Sequence, residues 1–329
     1  NRGDNGRQIF RQDDSAELFQ QALAGACQRN GWNLYAYAIL NNRYYLVIET
    51  PGGNLTEGMQ WLQSAFSNRL NLKRRTRGHI FSGRYKAQII EPNDNLLKAV
   101  DFVHNAAVRV NVCDYDYLEH YKYCSFHQYA KRGSMRPYLS CEKWLKHLGV
   151  FYEDVNRVWP MYRNYLMDVL EKNRQAGMHA RRFLSGWVIG SKEFKKKMVA
   201  MLKEGNGIKD WGGSAMREIN EIEWETLMEK CLERIDRTQD DVERDRKSAD
   251  WKVAVAAYMK RKTGVSNPWL GRYLNMGAPA AVSRYVGSFV RGQPNQNREY
   301  ASLRQMDRDD ALAAAREAER TASSEVVFS

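Results

Sequence analysis

Two apolar runs separated by a pair of asparagines are the feature that most constrains this chain's fold. Residues 34–40 are aliphatic and aromatic throughout, and residues 44–49 are nearly so. Short runs of this composition favour strands, whereas Asn41 and Asn42 favour a turn or a bulge. The pattern predicts two consecutive strands, and a sheet with apolar side chains needs helices to cover it.

Helical patterns surround these strands. An acidic and serine cap at residues 13–15 precedes apolar residues at helical spacing and predicts a helix ending near residue 29. The spacing also predicts a helix over 56–72, a strand over 84–91 and a helix over 95–108. This order predicts an α+β domain over residues 1–130, in which helices pack on one face of an antiparallel, ferredoxin-like sheet.

The rest of the chain is predicted to be helical. We expect a helical middle region over 131–248, a helix-turn-helix domain over 249–292 and a polar tail over 293–329. In the helix-turn-helix, Pro268 and Pro279 suit the first turn of two short helices, where no backbone donor is needed. Six apolar residues would form its core: Trp251, Val255, Trp269, Leu270, Leu274 and Val286.

Charge and cysteine content narrow the partners and the compartment. The chain has 51 Lys and Arg against 39 Asp and Glu, a formal charge of +12, and such an excess favours nucleic acid. Five cysteines without a Cys-x-x-Cys pair argue against a disulfide framework and against a zinc finger. No apolar run suits a membrane helix and no signal-peptide pattern is present, so we expect a cytoplasmic, nucleoid-associated protein without a membrane partner.

Four motifs resemble the HUH single-tyrosine transposases, most closely their REP-associated branch. Residues 41–51 read Asn-Asn-Arg-Tyr-Tyr-Leu-Val-Ile-Glu-Thr-Pro, where the family strand reads Asn-His-x-His-Leu-x-x-Glu-Thr-Pro. Residues 77–86 (Arg-Gly-His-Ile-Phe-Ser-Gly-Arg-Tyr-Lys) resemble the family's Gly-His-Leu-Phe-Gln-Gly-Arg-Tyr-Lys. Residues 101–109 resemble the helix Arg-Tyr-Ile-x-x-Asn-Pro-Val-Arg, and residues 121–126 resemble its closing Tyr-Arg-Trp-Ser-Ser-Tyr. The resemblance implies an HUH sheet domain, a first strand that begins before Asn1, and a homodimer.

The residues that carry the family's chemistry are replaced. Arg43 and Tyr45 stand at the two histidines, Phe102 at the nucleophilic tyrosine and Ala106 at an asparagine that is a candidate third metal ligand. An arginine has no lone pair to offer, a neutral tyrosine is a poor ligand for Mg²⁺ or Mn²⁺, and phenylalanine cannot attack a phosphodiester. We therefore expect no metal, no cofactor and no transposase activity.

Binding residues remain in place, and the resemblance implies a single-stranded hairpin as the DNA ligand. Basic and aromatic side chains would contact phosphates and bases of hairpin or single-stranded DNA: Arg43, Tyr44, Tyr45, Lys73, Arg74, Arg75, Arg77, His79, Arg84, Tyr85 and Lys86. The second helix of the helix-turn-helix would meet duplex DNA through Ala280, Ser283, Arg284 and Gly287, with Arg272 and Arg291 on the backbone.

From these motifs and replacements we expect a catalytically inactive, transposase-derived DNA-binding protein with a regulatory or accessory role. Two alternatives stay open. The chain could be an active nicking and joining enzyme with another nucleophile, namely Tyr44, Tyr45, Tyr115, Tyr117 or Tyr121. It could also be a scaffold for a protein or RNA complex.

Overall fold

The chain folds into two compact units, Asn1–Ser191 and Lys192–Ser329, in the computed structural model. The structure describes residues 3, 8–11, 14–130, 136–149, 155–175, 186–204 and 213–325. Over these residues the fold is α+β and mostly helical, and its sheets have two strands each. The finer domain boundaries at residues 130, 248 and 292 stay predictions.

The first unit contains a hairpin and seven helices within the described residues. Its elements are α1 (Ser15–Asn30), β1 (Asn33–Leu40), β2 (Arg43–Glu49), α2 (Leu55–Arg74), β3 (Ile89–Ile90), α3 (Asp94–His104), α4 (Ala106–Arg109), α5 (Ser125–Ala130), α6 (Glu142–Leu145), α7 (Val155–Gln175) and β4 (Val188–Ile189). Short 3₁₀ helices span Tyr115–His120 and Lys146–Leu148.

The antiparallel β1–β2 hairpin is the centre of the first unit. Its register pairs Leu40 with Arg43 and Ala38 with Tyr45, across a turn at residues 41 and 42. Seven of the eight β1 residues are buried, because helices cover both faces of the hairpin. Tyr44 packs on Phe19 of α1, with ring centroids 4.5 Å apart, while Tyr45 faces α3. The prediction that helices pack on one face is therefore wrong.

Two predicted elements are shorter than the sequence pattern indicates. The strand expected over 84–91 reduces to β3, which pairs in parallel with β4 rather than with the hairpin. The residues before it, 84–88, are polar for the most part and lie in an irregular segment. The helix expected over 95–108 is divided at Asn105 into α3 and α4.

The second unit is helical throughout its described residues. Its elements are α8 (Lys192–Glu204), α9 (Gly213–Arg234), α10 (Gln239–Arg244), α11 (Asp250–Thr263), α12 (Asn267–Tyr273), α13 (Pro279–Arg291), a 3₁₀ turn (Pro294–Gln296) and α14 (Arg298–Glu325). All six apolar residues predicted for the helix-turn-helix core belong to the core of this unit.

Two contacts define how α12, α13 and α14 pack. A Cβ atom on Gly271 would lie 2.5 Å from the carbonyl oxygen of Gly277, so glycine permits the close turn between α12 and α13. The start of α14 buries Tyr300, Leu303 and Met306 in the same core. The polar tail predicted over 293–329 thus begins with a helix that packs on its own unit.

Candidate nucleic-acid interface

Side chains of strand β2 point alternately to the two faces of the hairpin. Arg43 and Tyr45 share one face because side chains alternate along a strand. Arg43 is half-buried and its Nε donates to Asn42 Oδ1 at 3.0 Å. Tyr44 points the other way and is only 3% exposed, with its hydroxyl accepting from Gln63 Nε2. The ring of Tyr44 is therefore a core side chain rather than a platform for a base.

A stack of three side chains occupies the position that the resemblance gives to the nucleophile. The edge of Tyr45 meets Phe102 with ring centroids 5.7 Å apart and an interplanar angle of 81°. The guanidinium of Arg109 also lies over Phe102, with its Cζ 3.7 Å from the ring centroid. Ala106, one helical turn after Phe102, is fully buried.

These residues do not fit a divalent metal. A guanidinium at position 43 carries a permanent positive charge, and the alanine at position 106 has no ligand atom. Arg109 adds a second positive charge beside Tyr45 and Phe102. Within the described residues, no group of three or more His, Cys, Asp or Glu side chains could hold a metal ion. The chemistry available at this face is hydrogen bonding and charge, not metal-assisted phosphoryl transfer.

The alternative tyrosine nucleophiles differ in accessibility. Tyr115 donates to the backbone oxygen of Arg163 at 2.5 Å, and burial raises the pKa of its hydroxyl to about 12. Tyr121 donates to the backbone oxygen of Ile39 at 2.6 Å, and burial raises its pKa too. Tyr117 is 57% exposed and contacts the ring of His120. Only Tyr117, among these three, is open to a strand of DNA.

The basic segment over 73–86 is divided between structural and exposed cations. Lys73 pairs with Asp14 at 3.0 Å, and Arg74 donates to the backbone oxygen of Ile9, so both help hold the N-terminal segment. Five cationic or potentially cationic side chains are exposed: Arg75, Arg77, His79, Arg84 and Lys86. No ion pair joins any of these five to another described residue. They remain available to an outside anion.

Aromatic contacts place this segment at strand β2. Phe81 packs on Tyr44, with ring centroids 5.6 Å apart, and on Phe66 of α2. Half-buried Tyr85 lies with its hydroxyl 3.4 Å from Thr56 Oγ1, so its ring is partly open at the surface. The exposed cations and Tyr85 therefore belong to one loop that is anchored beside the hairpin.

In the second unit, the residues predicted to meet duplex DNA are on the outside of α12 and α13. Four of them are exposed: Arg272, Ser283, Arg284 and Arg291. Val282 and Val286 occupy the opposite, buried side of α13. Ala280 is exposed as well and Gly287 is half-exposed. The face of α13 is thus polar, basic and low in bulk.

A buried polar network was not predicted from the sequence. The carboxylate of Asp101, 2% exposed, accepts hydrogen bonds from Tyr162 and Tyr165, each at 2.9 Å. His104 links Tyr162 to Ser125, with both of its ring nitrogens at 2.8 Å from a hydroxyl oxygen. The partners come from α3, α5 and α7, so spacing along the chain gives no signal for their contact.

Arg109 was also absent from the predicted binding residues. Its signal in the sequence is its position seven residues after Phe102, two helical turns along the same face.

Comparison of the chain with protein-family models, with curated proteins and with solved structures finds no match. Of the described helices, none has the length and apolar character required to cross a bilayer.

Proposed function

We propose that this chain is a catalytically inactive, transposase-derived DNA-binding protein. The single observation that carries the proposal is the stack of Tyr45, Phe102 and Arg109 at the position of the family's nucleophile. A phenylalanine ring covered by a guanidinium has neither an attacking oxygen nor a place for a metal. What the face retains is positive charge and aromatic surface.

Hairpin or single-stranded DNA is the proposed ligand of the first unit. The exposed cations Arg75, Arg77, Arg84 and Lys86 would contact phosphates, and the half-exposed Tyr85 would stack on an unpaired base. Arg43 would offer a fixed charge to a phosphate at the end of β2. The loop thus offers exposed cations and one aromatic ring, which suit a flexible strand better than a rigid duplex.

Duplex DNA is the proposed ligand of the second unit. The pair α12 and α13 would act as a helix-turn-helix, with Ser283 and Arg284 of α13 near base edges and Arg272 and Arg291 on phosphates. The face of α13 presents small residues between its cations, which allows a helix to enter a major groove closely. Such a protein would act as a regulator or an accessory subunit at the nucleoid.

Charge reversal on each surface tests the two assignments against each other. We expect Arg77→Glu/Arg84→Glu to weaken binding of a labelled DNA hairpin, and Arg284→Glu/Arg291→Glu to weaken binding of a duplex. Fluorescence anisotropy from about 50 mM to about 200 mM salt measures both affinities. Loss of two phosphate contacts should reduce the slope of log K against log salt by about 1.4 for a single strand.

Each double variant is the control for the other, because both change the net charge by the same amount. Equal losses on both DNA forms for both variants would indicate a general charge effect and would contradict two separate surfaces. Wild-type binding without steep salt dependence, or binding to no DNA form, would remove the proposal in favour of a protein-binding or RNA-binding scaffold.

A further inference from the structure

The guanidinium of Arg109 has a buried edge without a hydrogen-bond partner. Its Nη1 donates to the backbone oxygen of Phe102 at 3.0 Å, whereas its Nε and Nη2 find no acceptor. Nε and Nη2 form the side of the guanidinium that binds a carboxylate or a phosphate through two parallel hydrogen bonds. The side of the arginine best suited to an oxyanion is therefore the side left open.

The charge of Arg109 is uncompensated as well. Burial lowers the pKa of its guanidinium to about 10, and Tyr45 is the neighbour whose charge opposes this shift. No carboxylate among the described residues forms an ion pair with Arg109. Buried arginines are ordinarily paired with an acid, so this one is short of a negative partner.

A second unpaired group lies one helical turn before Arg109. Asn105 is 3% exposed, and its Oδ1 has no hydrogen-bond partner. Residues 105 and 109 share a face, because Arg109 N donates to Asn105 O at 3.0 Å in a helical bond. This stretch of helix therefore carries buried polar atoms that no described residue satisfies.

We propose that Arg109 is a phosphate-binding residue that takes a phosphodiester oxyanion of a DNA strand on its Nε and Nη2. The assignment of DNA as the source of the phosphate rests on the proposed function. Besides the exposed cations of the loop, DNA would thus meet a second phosphate-binding position, on the face where the resemblance places the nucleophile.

Access requires the guanidinium to turn outward, since both nitrogens are enclosed by protein. The described contacts of the Arg109 side chain lie within residues 102–109: its Nη1 donates to the backbone oxygen of Phe102, and its guanidinium lies over the Phe102 ring. Arg109 is the last residue of α4, and the next residue, Val110, is 40% exposed. Turning the side chain toward the surface therefore breaks contacts within one segment and leaves the sheet intact.

The variant Arg109→Lys tests the role of the paired donors Nε and Nη2, because lysine keeps the positive charge but cannot donate two parallel hydrogen bonds. We expect its affinity for the DNA hairpin to fall about tenfold with the salt slope unchanged, measured by anisotropy on the full chain. Arg29→Lys on α1 is the matched control and should leave the affinity unchanged. Circular dichroism checks that each variant is folded.

Inorganic phosphate separates this inference from the proposed function. Replacing chloride by phosphate at equal ionic strength should raise the Tm of the wild type more than that of Arg109→Lys. Equal stabilisation of both proteins, or equal hairpin affinity, would overturn the phosphate site. A wild type that binds no DNA but gains stability through Arg109 would retain the anion site and remove the proposed function.

If Arg109→Lys does not fold, the wild type alone decides the matter. Phosphate titration should then shift the Nε–H signal of Arg109 in a ¹H–¹⁵N spectrum. An unshifted signal would reject the site.

Discussion

A phenylalanine at position 102 determines what the first unit can do with a phosphodiester. Its ring has no oxygen, and the two side chains that contact it, Tyr45 and Arg109, hold it by an edge contact and a cation–π contact. A cation over an aromatic face contributes about 0.5–2 kcal/mol, depending on its exposure to solvent. The guanidinium of Arg109 is thus held against Phe102, in the arrangement on which the proposed anion site rests.

Arg75 combines backbone strain with an exposed charge. It follows α2 with φ of 53°, a left-handed conformation that costs a non-glycine residue about 1 kcal/mol. We expect Arg75→Gly to raise the free energy of unfolding by about 0.5–1 kcal/mol and to weaken hairpin binding, because one phosphate contact is lost.

Urea unfolding and anisotropy measure the two effects on the same samples. Asn275→Gly is a matched control, since Asn275 also has a positive φ, of 50°, and carries no charge. It should leave hairpin binding unchanged. Unchanged hairpin binding by Arg75→Gly would show that Arg75 serves only the end of the helix.

At the scale of elements, apolar spacing predicts the parts of the fold that depend on local contacts. Helices α1 and α2 and strands β1 and β2 occur within two residues of their predicted limits, because each buries its own apolar face. The strand over 84–91 is shorter than predicted, since its partner β4 lies about a hundred residues away. A strand forms where a partner exists, and that partner is not encoded nearby.

Some features of the candidate site can likewise be predicted from the sequence, and others cannot. The phenylalanine at position 102 and its alignment with the tyrosine of the motif that it resembles can be read from the sequence, because they concern residue identity alone. The burial of Tyr44 could not be predicted from the sequence, because alternation along β2 does not show which face of the strand α1 and α2 cover. The open edge of Arg109 depends on side-chain conformation, which no spacing rule supplies.

The network between α3, α5 and α7 predicts a pH-dependent stability. Burial raises the pKa of Asp101 to about 7, against hydrogen bonds from Tyr165 and Tyr162 that lower it. Burial also lowers the pKa of His104 to about 3, so this imidazole is neutral. Since Asp101 keeps its proton in the folded state and releases it in the unfolded chain from about pH 4, its contribution to stability falls as pH rises toward about 7. His104 contributes in the opposite direction below about pH 6.5, because there its imidazole takes up a proton in the unfolded chain but not in the folded one.

Asp101→Asn should remove the Asp101 contribution and leave that of His104 in place. Its amide can donate to Tyr162, which then donates to His104, so the network stays satisfied without a buried charge. We expect the variant to gain stability relative to the wild type between about pH 5 and about pH 7, by up to about 1.4 kcal/mol per pH unit. Urea unfolding at several pH values measures the difference, and parallel curves for the two proteins would contradict a raised pKa.

At the scale of the whole molecule, we propose that each of the two compact units binds one form of DNA. The first unit offers the cations of residues 75–86, and the second offers the outer face of α13. In the second unit α14 is fixed through Asp307: burial opposes its ionisation, but hydrogen bonds from Lys262, Tyr258 and Arg261 hold its pKa down at about 2. Each of the two surfaces thus belongs to a separate compact unit.

The central claim is DNA binding without DNA chemistry. One reaction tests it most directly: the full chain is incubated with Mg²⁺ or Mn²⁺ and an end-labelled DNA hairpin, then divided between a native gel and a denaturing gel. The account predicts a shifted band on the native gel, and an intact free strand on the denaturing gel, because Phe102 cannot form a covalent bond to phosphate. A protein–DNA adduct or a cleaved strand on the denaturing gel, or no shift on the native gel, would contradict it.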